Sequence, residues 1–252
     1  MQIDIVTIFP AMVEAALADG VIGRARTAGV IDVQVRDLRA FATDRHRTID
    51  DVPYGGGPGM VLKPEPLVSA VRALTAERGA PDAVVLMSPQ GRMLDHELAG
   101  RFSRFARLVL LCGRYEGVDE RVVESVVTDE ISIGDYVLTG GELPALVFVD
   151  TVTRLVPGVV GDAVSIVGES FAGGWLDHPH YTRPASFEGR DVPTVLLSGH
   201  HAEIERWRRR ERVRRTYARR PELVDWSVLS DEERRDLEAL DAERGESLGQ
   251  PK

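Results

Sequence analysis

The chain has 252 residues, 43% hydrophobic and 28% charged, proportions of an ordinary globular protein that set aside extensive disorder, collagen-like repeats and residence in a membrane. Its 31 basic and 40 acidic residues give a net charge of -9 and a pI near 5.2, so no global positive field announces a nucleic-acid partner. The charge is unevenly placed, however: residues 204–220 hold nine arginines and two glutamates, a local surplus of +7.

The opening MQIDIVTIFP carries acidic Asp4 and no basic leader, and reads as a strand entering a turn at Pro10 rather than as a signal peptide. No run of about eighteen apolar residues follows, and the lone Cys112 offers neither an intrachain disulfide nor a cysteine metal cluster, so a cytoplasmic location is expected. Apolar runs at 3–8, 30–35, 83–87 and 108–112 read as strands, alternating with helical patterns at 12–18, 66–77, 96–105 and 119–127. The nearly continuous Val, Ile and Leu of the strands predicts an α/β domain over residues 1–160, with a mainly parallel sheet covered by helices on both faces. A further helical pattern at 142–155 stops before Pro157 and Gly158. Residues 161–174, rich in glycine and small side chains, read as an interdomain linker. Residues 175–252 then form a second, small and mainly helical domain, with helices over 202–217 and 231–240.

The glycine-rich YGGGPGM at 54–60 lacks the G-x-G-x-x-G spacing of a dinucleotide site, and no G-x-x-x-x-G-K-[ST] loop occurs. Three later segments fall near strand ends: SPQGR at 88–92, CGRYEGVDER at 112–121 and SIGDYVLTGGELPA at 132–145. In a parallel sheet such ends gather at one edge, where Gly113, Gly117, Gly134, Gly140 and Gly141 permit close backbone approach to a ligand. Tight turns without a ligand account for the same glycines. Glu116, Asp119, Asp135 and Glu142 are open to helix-capping, solvated or catalytic roles.

Taken in order, Phe9-Pro10, DRHRTIDDVPYGGGPGM at 44–60, SPQGR, LLCGRYEGVDERV at 110–122, SIGDYVLTGGELPA and LDHPHYTRP at 176–184 resemble the bacterial tRNA (guanine-37-N1)-methyltransferase family across nearly the whole chain. The resemblance implies a SPOUT-type methyltransferase with a deep trefoil knot in its catalytic domain, a topology that periodicity alone would have drawn as an open α/β sheet. It also implies a homodimer with shared active sites and a C-terminal domain that engages tRNA. S-adenosylmethionine is the implied methyl donor, surrounded by Pro89, Gly113, Tyr115, Glu116, Ile133, Leu138, Gly140 and Gly141. That molecule carries no phosphate, which accounts for the missing phosphate-binding motifs. The implied acceptor is N1 of guanine-37. Where the family has a catalytic aspartate, this chain has Glu169 in GESF, assigned here to accept the N1 proton while Arg154 stabilises charge developing toward O6. Asp177 is the rival base, with orientation of the site as its other role. Magnesium is implied as an aid to catalysis, with carboxylates and RNA phosphates as its surroundings, although the sequence marks no dedicated cage.

His46 and Arg47, with Arg206, Arg208, Arg209 and Arg215 of the basic run, are the candidate RNA contacts, and Trp207 and Tyr217 are available for packing or base stacking. A solvated helix whose arginines answer the acidic tail is the plainer alternative. His178, His180, His200 and His201 make no complete zinc cluster. The competing function is a noncatalytic RNA-binding protein that retains the knotted scaffold. An oxidoreductase using a nicotinamide cofactor lacks its glycine fingerprint.

Overall fold

The computed structural model describes residues 1–161 and 168–244, with side chains to residue 240. The chain divides into two units, 1–163 and 164–252. The strands of the first unit are β1 (Gln2–Thr7), β2 (Asp32–Asp37), β3 (Asp50–Asp51), β4 (Val61–Leu62), β5 (Ala83–Met93), β6 (Arg107–Cys112) and β7 (Asp129–Ser132). Five of them make one sheet, ordered β2-β1-β6-β5-β7 and parallel throughout, while β3 and β4 pair by themselves.

The helices of this unit are α1 (Pro10–Leu17), α2 (Gly20–Thr27), α3 (Pro64–Arg78), α4 (His96–Phe102), α5 (Glu120–Val126) and α6 (Glu142–Thr153). Because strand side chains alternate, Ile3, Ile5, Val85, Leu108 and Leu110 face one layer, with Val13, Leu17, Phe102 and Phe148 of α1, α4 and α6. Val6, Val84, Leu86, Val109 and Leu111 face the other, with Leu67, Leu74 and Val122 of α3 and α5. Each large apolar side chain so buried contributes about 1.5–3 kcal/mol, which is why strands this apolar require cover on both sides. Asp4 is the buried charge in β1: it is fully buried and paired with Arg36 at 3.0 Å, Arg78 at 3.1 Å and Arg107 at 3.3 Å.

Beyond the short strand pairs, β3 with β4 and Ser186–Phe187 with Arg190–Asp191, which no apolar run announces, three features depart from the sequence-based outline. Helix α2 gives little signal in the sequence because Gly20, Gly23 and Thr27 weaken its helical propensity; Gly23 is required by packing, since a Cβ there would lie 2.1 Å from the Ala18 carbonyl oxygen. Strand β7 reads DEIS and buries only Ile131 and Ser132, an edge strand with too little apolar alternation to be found by pattern. Finally, SPQGR does not follow β5 but lies inside it as an irregularity, with Met87 and Arg92 both registered against Ile131 of β7.

In the second unit, the hairpin β8 (Ser186–Phe187) and β9 (Arg190–Asp191) precedes α7 (His201–Arg219) and α8 (Asp231–Arg244). Its small core joins Val213, Val224, Leu229 and Leu237 to Trp175, Tyr217 and Trp226. Two ion pairs link the helices: Arg209 Nε to Glu233 Oε1 at 2.6 Å, and Arg210 Nε to Asp236 Oδ2 at 2.5 Å. Among the described residues, no helix is long and apolar enough to cross a membrane. The expected linker at 161–174 falls partly on residues 162–167, outside the described residues.

Candidate active site

Strands β5, β6 and β7 are parallel, so the segments leaving β6 and β7 emerge at the same edge of the sheet, beside the irregularity in β5. The segment after β6 is held from two sides. On one side, Glu116 N donates to Met60 O and Leu62 N to Gly117 O, both at 3.0 Å, so the 54–62 glycine segment is a support for this loop. On the other, Gly141 N donates to Gly113 O at 2.8 Å, and Arg114 and Gly140 form a bridge. A Cβ on Gly141 would stand 2.8 Å from Cys112 Cα and Gly113 N, so only glycine lets the two segments cross this closely. These bonds also hold Tyr115 at φ +60, a left-handed backbone that side-chain-bearing residues adopt at a cost of about 1–3 kcal/mol.

Between the segments lies a cavity of about 230 Å³, whose lining includes Pro89, Gly113, Tyr115, Glu116, Ile133, Leu138, Gly140 and Gly141. Met87, Val118, Val123 and Pro144 add apolar wall. Among the described residues of that lining, Glu116, Glu120 and Glu130 outnumber the one cation, Arg114. Such a pocket suits a flat apolar ring together with a positively charged group, and it disfavours a phosphate.

Glu142, outside that lining, anchors its Arg114. It is 2% exposed in the first turn of α6, where the helix dipole favours an anion; Thr7 Oγ1 donates to its Oε1 at 2.8 Å, and Arg114 Nη1 lies 3.6 Å from its Oε2. Arg114 in turn stacks over the Phe9 ring at 4.8 Å, which links the Phe9-Pro10 pair to the cavity. In the sequence Glu142 is one of several acids of open role; the clue to its place is a helix start directly after two glycines. Cys112, buried beneath the loops, has its thiol pushed well up by desolvation and then by the charge of Glu142, an environment that suits a packed residue over a nucleophile.

The other candidates are distributed over both units. Arg154 is half-buried at the C-terminal end of α6, in the first unit; Glu169, half-buried, and Asp177 belong to the second. Asp177 is closely engaged: His180 Nε2 lies 2.9 Å from Oδ2, His178 N donates to Oδ1 at 2.7 Å, and Arg212 Nε lies 3.4 Å from Oδ1. Burial alone would raise its pKa, but the bonds from His180 and the His178 amide, with the charges of both imidazoles, bring it below the usual carboxylate range. That environment favours an orienting anion over a proton acceptor.

Asp177, His178 and His180 each place one potential metal-ligand atom within 4.8 Å of the others. Two imidazoles and a carboxylate suit a transition metal rather than magnesium, and the Arg212 guanidinium on the same carboxylate opposes a further cation. His46 and Arg47 are exposed in a turn organised by Asp44, which accepts from His46 N at 2.8 Å and Thr48 N at 2.9 Å. On α7, Arg208 pairs with Glu205 at 2.6 Å, while Arg209 pairs with Glu233 and lies 5.2 Å from the Trp175 ring centroid. Arg206 bonds the Ala202 carbonyl of its own helix at 3.3 Å, and Arg215 forms no ion pair among the described residues. Trp207 packs near His178 and Tyr181, and Tyr217 meets Trp226 edge to face at 5.8 Å. Part of the arginine run is thus committed within its own unit, in keeping with the plainer alternative.

Residues 1–226 match the family described as tRNA (Guanine-1)-methyltransferase TrmD. The chain is 57% identical over 226 residues to the tRNA (guanine-N(1)-)-methyltransferase of Chloroflexus aggregans, covering 89% of this chain and 88% of that protein. It is 54% identical over 241 residues to the protein of the same name from Methylococcus capsulatus, covering 96% and 95% of the two chains. With the relative of that name from Pelotomaculum thermopropionicum it shares 52% over 241 residues, covering 95% and 96%.

Proposed function

The chain belongs to the tRNA (guanine-1)-methyltransferase family, and on that premise we propose that it methylates N1 of guanine-37 in tRNA, using S-adenosylmethionine. The observation that supports this most is the convergence of three glycine-bearing segments on one acidic, partly apolar cavity. In our reading Pro89, Gly113, Tyr115, Glu116, Ile133, Leu138, Gly140 and Gly141 hold the methyl donor there: apolar walls suit its purine, and Glu116, Glu120 and Glu130 offset its positive charge. When bound, S-adenosylmethionine supplies the methyl group as an electrophile, its sulfur keeping the electron pair of the broken bond.

Glu169 accepts the proton from N1, leaving the nitrogen lone pair to form the new bond to carbon. The Arg154 guanidinium balances the negative charge that spreads toward O6. Relative to the family's aspartate, Glu169 has one more methylene, so its main chain must stand farther from the base. Asp177 orients this segment rather than taking the proton, in keeping with its engaged carboxylate.

We place the reacting centre between two copies of the chain. Leu143 and Val147, one turn apart on α6, are exposed at 48% and 44%, and the neighbouring α1 region exposes Phe9 and Met12; a second copy would cover such an apolar face. Arg154 lies seven residues beyond Val147, two helical turns along the same side. The trefoil knot is part of the proposal, supported by the placement of β7 beside β5 rather than β6 and by the close crossing of Gly141 over Cys112 and Gly113. The domain proposal is a catalytic domain over 1–160, a linker at 161–174 and a tRNA-engaging domain over 175–252. His46, Arg47, Arg206 and Arg215 serve the RNA in this reading, with Arg208 and Arg209 contributing to the surrounding field. A magnesium requirement arises with the bound RNA, whose phosphates bring the hard oxygens that ion prefers. The single, buried Cys112 is compatible with a reducing cytoplasm, where we locate the protein.

Methylation of tRNA transcripts with S-adenosylmethionine, mapped to the nucleotide, tests the activity; guanine-36 and guanine-37 substitutions test its position. Glu169→Gln should retain cofactor binding and slow single-turnover transfer by about 10²–10⁴-fold, whereas Asp177→Asn should be less severe. Product at another base overturns the specificity. A folded protein that binds S-adenosylmethionine and tRNA without transfer would instead be the noncatalytic RNA-binding scaffold.

A further inference from the structure

The loop that carries Glu169 is tied by polar bonds within itself and by three bonds to α7. Arg212 Nη2 donates to the Gly168 carbonyl at 2.8 Å, and Arg212 Nε lies 3.4 Å from Asp177 Oδ1. Asp177 N donates to Ser170 Oγ at 2.9 Å, Phe171 N to Trp175 O at 2.7 Å, and Leu176 N to Thr216 Oγ1 at 2.9 Å. Residues 168–177 therefore form a closed loop, and the residues on both sides of Glu169 are tied. One guanidinium holds both limbs, through Gly168 at the start and Asp177 at the end.

Gly168 supplies an independent observation. A Cβ added there would lie 3.0 Å from Arg212 Nη2, tighter than ordinary van der Waals contact, so the missing side chain gives the guanidinium room at the carbonyl. Arg208, Arg209 and Arg210 on the same helix pair with carboxylates of Glu205, Glu233 and Asp236; Arg212 instead also grips a main-chain oxygen next to Glu169.

We propose that Arg212 is a positioning residue for methyl transfer: it sets the reach of Glu169 by clamping the Gly168 carbonyl and the Asp177 carboxylate together, and it is not an RNA-phosphate contact. The proposal rests on Glu169 as the proton acceptor. A guanidinium is suited to the task because it is planar, permanently charged and presents separate N–H groups to two acceptors. A lysine at the same site offers one compact ammonium and satisfies one acceptor well.

The test is single-turnover methylation by the full-length protein at saturating S-adenosylmethionine and tRNA, with tRNA affinity measured in parallel across salt concentrations. Arg212→Ala should slow transfer by about 10–100-fold, while the tRNA dissociation constant stays within about twofold and its salt dependence is unchanged. Arg212→Lys should recover part of the rate. Gly168→Ala, which alters no charge, should slow transfer less than Arg212→Ala does, because the end of the guanidinium need give way by only a few tenths of an ångström. In a Glu169→Gln background, Arg212→Ala should add no more than about a twofold loss, because both changes act through one group. Weaker tRNA binding and a shallower salt slope in Arg212→Ala, with normal transfer at saturation, would make Arg212 a phosphate contact and overturn the proposal. A slow Glu169→Gln beside a normal Arg212→Ala removes this proposal alone; a normal Glu169→Gln removes the base assignment and the proposal with it.

Discussion

Gly141→Ala probes the crossing that shapes the cavity. The new Cβ would stand 2.8 Å from Cys112 Cα and Gly113 N, and 3.1 Å from Cys112 C, where ordinary contact begins near 3.4 Å. All three are main-chain atoms at the end of a buried strand, so no side chain can rotate away and the 140–141 segment must retreat by about 0.6 Å. That movement stretches the 2.8 Å bond from Gly141 N to Gly113 O toward the limit of a useful hydrogen bond. Overpacking of this kind costs about 1–3 kcal/mol, and loss of the bond adds about 1 kcal/mol. If the loop must regain its position to hold S-adenosylmethionine, even about 2 kcal/mol weakens binding roughly 30-fold. Calorimetric titration with S-adenosylmethionine, beside a thermal melt, measures both consequences. Gly100→Ala in α4 is the control: its Cβ meets nothing within 4 Å, so helix propensity should make it neutral or stabilising. Wild-type affinity and melting temperature in Gly141→Ala would refute the close-crossing explanation.

Asp4→Asn keeps the shape of the buried acid but removes the charge that Arg36, Arg78 and Arg107 share; about 3–5 kcal/mol of stability should be lost, and an unchanged urea midpoint would contradict this. Asp177 has a depressed pKa, so the stability it contributes is complete above the unfolded value, about 3.9, and is lost as pH falls through that value to the lower folded one. Asp177→Asn should flatten the acid dependence of the second unit below about pH 4, read by tryptophan fluorescence because Trp175, Trp207 and Trp226 all lie there; identical acid transitions would dismiss it. Arg206→Glu with Arg215→Glu should weaken tRNA binding and flatten its salt dependence, by about one unit of log–log slope for each phosphate no longer neutralised, and a salt-insensitive wild-type curve would end the phosphate reading.

The three-layer first unit was largely legible because burial on both faces leaves strands such as Leu108–Cys112 apolar at every position. Strand β7 was not, since an edge strand can remain acidic, and SPQGR reads as a loop because a β irregularity has the same turn-forming residues. The glycine segments could be recognised as a set, but their shared cavity depends on strand order. The basic run also reads differently in three dimensions: Arg209 and Arg210 answer Glu233 and Asp236, and Arg212 closes the Glu169 loop.

The sequence by itself determined the layered α/β class, the segments able to approach a ligand closely and the local surplus of positive charge, because periodicity, backbone permissiveness and charge are properties of neighbouring residues. Only the tertiary structure decided which charged groups are anchors. Thr7 meets Glu142 across 135 positions, Asp4 gathers Arg36, Arg78 and Arg107, and Arg212 reaches back to Gly168 and Asp177. A carboxylate or guanidinium takes its role from burial and from its partners, and folding brings those partners from distant parts of the chain.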